Sequence, residues 1–180
     1  MRNKKIALAV SAGIATYKAV ELLRVMMKEG IEVHVSMSSN AAEFVAPLTF
    51  ETLSGNPVYH KLFNSKNSAN MKHIRIAEQA DLLLVAPATA STIGKMASGL
   101  ADDALSSLYL AFKGPVLVAP AMNSDMWKHL AVQENIEKLK ARGVEIIDPE
   151  DGELACGTVG FGRLANIDTI LATVKSHFAK

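Results

Sequence analysis

The chain has 180 residues, 49% of them hydrophobic, with 19 lysines and arginines against 18 aspartates and glutamates and a formal net charge of +1. That length fits one domain, residues 1–180, with a sizeable core, while the near balance of charge without a dense basic run excludes a phosphate-backbone footprint and so a nucleic-acid partner. The absence of a membrane-length apolar run argues against a membrane partner, and one cysteine, Cys156, cannot form an intrachain disulfide, so the cytoplasm is the expected location.

The charged start, Met1-Arg2-Asn3-Lys4-Lys5, followed by an apolar run at 6–10 has the outline of a signal segment. The apolar stretch is too short for one and runs into Ser11-Ala12-Gly13, so it reads as a first buried strand. Helical spacing follows over 14–28, with Ala19, Leu22, Leu23 and Met26 on one face, and a second strand run occupies 31–35. The polar stretch 64–70 reads as a loop, and His73 falls at the start of a helix preceding a third strand run at 82–86. Beyond it lie a helical stretch over 90–112 broken near Gly99, a fourth run at 116–119, and a helix over 129–142 closed by Gly143. A fifth run at 144–147 and a terminal helix over 167–178, capped by Asn166, complete the chain. Several runs are rich in Val, Ile or Leu without alternation, as in strands covered on both faces. Their alternation with helices predicts a three-layer α/β/α sandwich around a parallel, Rossmann-like (flavodoxin-like) sheet.

In such a sheet ligands gather where strands end and helices begin. After the first run, Ser11-Ala12-Gly13-Ile14 turns into a helix N-terminus whose free N–H groups can hold an anion; the same small residues also suit a tight packing turn. After the second, the hydroxyls of Ser36, Ser38 and Ser39 either bond ligand oxygens or cap the next helix, capping being the simpler reading. After the third, Thr89, Ser91 and Thr92 beside Ala90 put three hydroxyls in four residues, which suits a phosphate or a flavin's polar edge. After the fourth, Asn123 sits between Met122 and Met126. Its amide can donate to a carboxylate while its carbonyl accepts from a backbone N–H, although a plain N-cap is the favoured reading of that stretch by itself. Cys156 lies in a loop with Gly157, Gly160 and Gly162, where the backbone can approach a ligand or fold over it as a flap. Histidine is the side chain that titrates near neutrality, so His73 could act as a base, although by the local sequence alone a surface or capping histidine is the favoured reading. No histidine shows ligand spacing with Cys156, and no metal site is expected.

Together these segments resemble the homo-oligomeric flavin-containing cysteine decarboxylase family, over essentially the whole chain. Pro120-Ala121-Met122-Asn123-Ser124-Asp125-Met126-Trp127 is similar to the family's P-x-M-N-x-x-M-W signature, and Ala155-Cys156-Gly157-Thr158-Val159-Gly160-Phe161-Gly162-Arg163 to its A-C-G-x-x-G-x-G-R flap. Pro87-Ala88-Thr89-Ala90-Ser91-Thr92 with Lys95 and Gly99 is similar to the family's flavin segment, and His73-Ile74 to its active-site histidine.

The resemblance implies FMN held by Ala12, Gly13 and Ile14, by Ser36, Ser38 and Ser39, and by Thr89, Ala90, Ser91 and Thr92, with Ala121 beside it. It implies a substrate held by Met122, Asn123, Ala155 and Cys156, with Asn123 on the carboxylate, His73 as base and Cys156 as proton donor. The implied reaction is decarboxylation of 4'-phospho-N-pantothenoylcysteine to 4'-phosphopantetheine and carbon dioxide in coenzyme A biosynthesis. There the flavin oxidises the thiol-bearing carbon to a thioaldehyde, an electron sink for the departing carboxylate, and then returns the hydride. Relatives that decarboxylate a peptide's C-terminal cysteine stop at the ene-thiol and lack the cysteine flap. Non-catalytic FMN-binding regulatory relatives carry long acidic extensions, which this chain does not show. Members assemble as trimers or as dodecamers of four trimers, with active sites at subunit boundaries. Many bacterial relatives continue into a phosphopantothenate–cysteine ligase, so this chain is expected either to work beside a separate ligase or to be a portion of such a fusion.

Overall fold

Each of the five apolar runs becomes a strand in the computed structural model, which describes residues 4–62, 72–153, 157 and 159–179. In chain order the elements are β1 (Lys5–Val10), α1 (Thr16–Lys28), β2 (Glu32–Met37), a short 3-10 helix (Ser39–Glu43), α2 (Pro47–Ser54), α3 (Lys72–Gln79) and β3 (Leu82–Ala88). They continue with α4 (Ala90–Ser98), α5 (Ala104–Ala111), β4 (Val116–Pro120), α6 (Ser124–Lys128), α7 (Leu130–Ala141), β5 (Glu145–Ile146), β6 (Glu150–Glu153), β7 (Val159–Arg163) and α8 (Ile167–Ala179). The polar stretch 64–70 and two of the expected site residues, Ala155 and Cys156, lie outside the described residues.

The first five strands form one parallel sheet in the order β2-β1-β3-β4-β5. Its register places Leu8 opposite both Val35 and Leu84, and Leu84 opposite Leu117, so one apolar row crosses four strands. That face packs Leu22, Leu23 and Met26 of α1, Phe50 of α2, and Ile170 and Val174 of α8. Residues one step along the strands, Ala7, Ala9, Leu83, Val85 and Val118, face the other layer, where Ile93 and Met96 of α4, Leu105 and Leu108 of α5, and Ile136 and Leu139 of α7 cover them. Burial on both faces explains why the runs do not alternate. Each large core side chain taken from water contributes about 1.5–3 kcal/mol, so the two cores decide where the helices sit.

The helical stretch over 90–112 is two helices, because Gly99 turns left-handed (φ 70°) to close α4 and Asp103 opens α5 with a capping box to Ser106. At the terminal helix the Ile170 N–H donates to the Asn166 carbonyl at 3.0 Å. Two elements depart from the expected pattern. Residues 47–54 are helical, started by Pro47 and anchored by the buried Phe50, with Leu53 packed partly buried beside it. The glycine-rich segment expected to be a loop contributes β7, which pairs antiparallel with β6. Among the described residues no helix is long and apolar enough to cross a membrane, and no group of three or more His, Cys, Asp or Glu could hold a metal ion.

Candidate active site

The carboxyl ends of β1, β3 and β4 open on the same edge of the sheet and are tied together by small polar residues. Ser11, fully buried, donates its hydroxyl to the Pro87 carbonyl (2.7 Å) and accepts the Thr89 N–H (2.9 Å), joining the turn after β1 to the turn after β3. The Thr16 hydroxyl donates to the Ser11 carbonyl (3.0 Å) and accepts the Gly13 N–H (3.3 Å), which shapes the Ala12–Gly13–Ile14 turn. No side chain caps α1 at Ala15, so the positive end of that helix is left for a ligand or solvent. Thr89 caps α4 through the Thr92 N–H at 3.3 Å, and the Ala121 N–H donates to the Ala88 carbonyl at 3.0 Å, bringing the β4 turn alongside.

The β6–β7 pair closes the far side by direct backbone approach. The Met122 N–H donates to the Gly162 carbonyl at 2.9 Å, and a Cβ at position 162 would stand 2.3 Å from the Met122 carbonyl oxygen. Glycine is therefore required at 162 by contact as well as by its φ of +135°. Glu150 fastens the pair, accepting from Arg163 Nη2 (3.1 Å) and from the Asn166 N–H (2.9 Å). These two donors, Asn166 foremost, hold its carboxyl below the usual value.

Between these walls lies a cavity of about 820 Å³, within the range of cofactor sites. Of the residues singled out in the sequence, Ala12, Gly13, Ile14, Thr89, Ala90, Ala121, Met122 and Asn123 line it. Met126, Gly157 and Gly162, which the sequence motifs also contain, line it too, whereas Tyr17, Lys18, Glu153, Arg163 and Leu164 line it without having been singled out as site residues. Tyr17 and Lys18 follow Gly13 by about one helical turn, and Arg163 closes the flap motif, so both signals were present in the sequence.

Asn123 is an N-cap, as its local sequence suggests: Oδ1 accepts the N–H groups of Asp125 (2.8 Å) and Met126 (3.4 Å). Capping fails at the serines after β2, where Ser38 begins the 3-10 helix without a side-chain cap bond. Instead the buried hydroxyl oxygens of Ser36 and Ser38 have no hydrogen-bond partner among the described residues, although the Ser38 N–H reaches the Val10 carbonyl at 3.0 Å beside the β1 turn. A buried hydroxyl left unpaired costs about 1–3 kcal/mol, which a bound polar ligand relieves. Ser36, Ser38, Ser39, Ser91 and Thr92 stand off the cavity wall, Ser91 being exposed and Thr92 buried.

His73 does not line this cavity either. Half-buried at the start of α3, it stands with Nδ1 3.2 Å from the Tyr59 hydroxyl, and the two rings stack at 5.9 Å with 27° between their planes. Lys95, part of the motif after β3, ion-pairs with Asp102 (2.8 Å) and Asp103 (3.0 Å) and so braces the start of α5.

A family match runs over residues 1–179. This chain belongs to the Flavoprotein family. It is 46% identical over 180 residues to the coenzyme A biosynthesis bifunctional protein CoaBC of Bacillus subtilis and 42% identical over 179 residues to that of Escherichia coli. Those alignments cover 100% and 99% of this flavoprotein but 44% of each relative, so the chain spans less than half their length. Among solved structures it superposes on a cysteine-to-serine variant of PPC decarboxylase complexed with pantothenoylaminoethenethiol with a TM-score of 0.89 at 29% identity, covering 99% of this chain and 100% of that one. It superposes on the FMN binding protein AtHal3 with a TM-score of 0.85 at 29% identity, covering 99% and 98%.

Proposed function

We propose that this flavoprotein binds FMN and decarboxylates 4'-phospho-N-pantothenoylcysteine to 4'-phosphopantetheine and carbon dioxide, a step of coenzyme A biosynthesis. The observation that carries the reading is the strand-end cavity, where the Ala12–Gly13–Ile14 turn, Thr89 and Asn123 face one space. The bifunctional coenzyme A relatives and the superposition on PPC decarboxylase support it.

The residues present fit FMN. The uncapped start of α1 offers an anion seat at the cavity, the buried hydroxyls of Ser36 and Ser38, off its wall, lack a partner among the described residues, and Thr89, Ala90 and Ala121 give the cavity a narrow polar-and-small wall. When bound, FMN supplies a two-electron acceptor for the carbon that bears sulfur. Asn123, fixed by its cap bonds to α6, orients the substrate carboxylate with its amide. Ile14, Met122, Met126 and Leu164 make the surroundings apolar, where a contact to a carboxylate counts for more than in water. His73 is the base, and Cys156, outside the described residues, is the proton donor.

His73 stands off its own chain's cavity, and Ile14, Tyr17, Val159 and Phe161 are exposed. Both observations support a homo-oligomer, a trimer or a dodecamer, in which His73 of one subunit serves the cavity of another. Residues 1–180 act as one FMN-binding domain in the cytoplasm, with the phosphopantothenate–cysteine ligase separate or fused.

The purified protein is expected to be yellow, to release FMN identified by mass, and to liberate carbon dioxide from phosphopantothenoylcysteine. A protein that carries FMN yet leaves this substrate untouched, or turns over only peptides ending in cysteine, refutes the substrate assignment. His73→Asn is expected to lose at least about a hundredfold in turnover with FMN retained.

A further inference from the structure

Tyr59 comes from the segment after α2 and attaches to the edge of the sheet. Its N–H donates to the Val35 carbonyl (2.9 Å) and its carbonyl accepts the Met37 N–H (2.8 Å), a parallel bridge opposite Ser36. With its backbone fixed to β2, the ring is 3% exposed and packs in the core beneath α3, α4 and α5. The hydroxyl then falls 3.2 Å from Nδ1 of His73, on the outside of that core. Burial, and after it the Asp103 carboxylate, pushes the phenol's pKa up, so Tyr59 stays neutral in the range where a decarboxylase works. Asp103 is itself held in place by Lys95 (3.0 Å) and the Ser106 N–H (2.8 Å).

A histidine that acts as a base has two candidate nitrogens, and the partner of one decides which remains for the substrate. We propose that Tyr59 is a positioning residue that occupies Nδ1 of His73 and so makes Nε2 the nitrogen that takes the substrate's proton. With Nδ1 engaged by Tyr59, a base at His73 needs its resting proton on Nδ1, donated to the Tyr59 oxygen, so that the Nε2 lone pair is free to accept. After transfer the imidazolium keeps the same Nδ1–H bond, so the ring need not turn during the reaction. The inference rests on the assignment of His73 as the base. Nothing in the local sequence marks Tyr59, because its role comes from a bridge to β2 and a contact with a residue 14 positions later.

Tyr59→Phe keeps the stacked ring and both backbone bonds and removes only the hydroxyl. In the full chain loaded with FMN, kcat is expected to fall about tenfold, a part of the roughly 10²–10⁴-fold that a positioned base contributes. KM for phosphopantothenoylcysteine should stay within about twofold, since the substrate contacts are elsewhere. The ring ¹⁵N shifts of His73, assigned by its loss in His73→Asn, should report the Nδ1–H tautomer in the unaltered protein and a mixture of tautomers in Tyr59→Phe. An unchanged kcat together with unchanged ring shifts overturns the proposal. If the variant does not fold, the unaltered protein decides, because an Nε2–H tautomer there contradicts the assignment. If the unaltered protein lacks decarboxylase activity, the functional reading fails, while the ring shifts still decide whether Tyr59 holds Nδ1.

Discussion

At position 162 a single hydrogen atom in place of a side chain lets β7 lie on the turn that follows β4. Gly162→Ala would set a methyl 2.3 Å from a backbone oxygen at a φ of +135°, and neither can give way. The substitution is expected to cost at least about 3 kcal/mol in urea unfolding. Gly160→Ala is the control, because its methyl would meet only the Ser124 side chain, the hydroxyl at 2.6 Å, which can rotate, and Cβ at 3.4 Å; a loss within about 1 kcal/mol is expected. Asn123 carries two roles that substitution can separate. Asn123→Asp preserves the acceptor that caps α6, so stability should stay within about 0.5 kcal/mol, whereas Asn123→Ala should lose about 1 kcal/mol. The same Asp removes the amide donor and sets a negative charge against a carboxylate, so turnover should fall at least about a hundredfold in both variants. The sequence made Asn123 legible in both readings, since a short polar residue ahead of a helix is a local pattern. Tyr59 was not legible, because what places it at a site is a bridge to β2 and a contact with a residue 14 positions later.

Elements were legible where their cause is local. The five buried strands, the break at Gly99 and the helix closed by Gly143 all follow from runs and punctuation that a short window contains. The hairpin was not, because Glu150–Glu153 is charged and Val159–Arg163 holds two glycines, and only docking on the β4 turn makes strands of them. Helix α2 escaped for a similar reason, with one buried residue in eight and no apolar face to read. The link between α4 and α5 makes a prediction at this scale. Burial pushes the Asp103 carboxyl up, but the Ser106 N–H and hydroxyl and the Lys95 ammonium outweigh it and hold the pKa below the usual value. The unfolded chain then binds protons more readily in acid than the folded one, so this contribution is complete above about pH 4 and disappears as the pH falls through the folded pKa. Urea unfolding of the unaltered protein should weaken over that acid range, and Asp103→Asn should show a flatter dependence.

Across the whole molecule, the sheet sets the cavity at the carboxyl end of its strands, between layers of helix that cover both of its faces, with room there for a ligand as large as a flavin nucleotide. The exposed Ile14, Tyr17, Val159 and Phe161 predict that sedimentation will give a multiple of one chain, and dilution should release flavin as the assembly separates. The buried hydroxyl of Ser11 has a wider effect. It ties two turns that belong to different strands and start different helices, so neither can loosen while the other stays shut. Amide deuteration should therefore slow at Gly13 and Thr89 together, and by a common factor, when flavin is titrated in: a latch with one pin rather than two independent clasps.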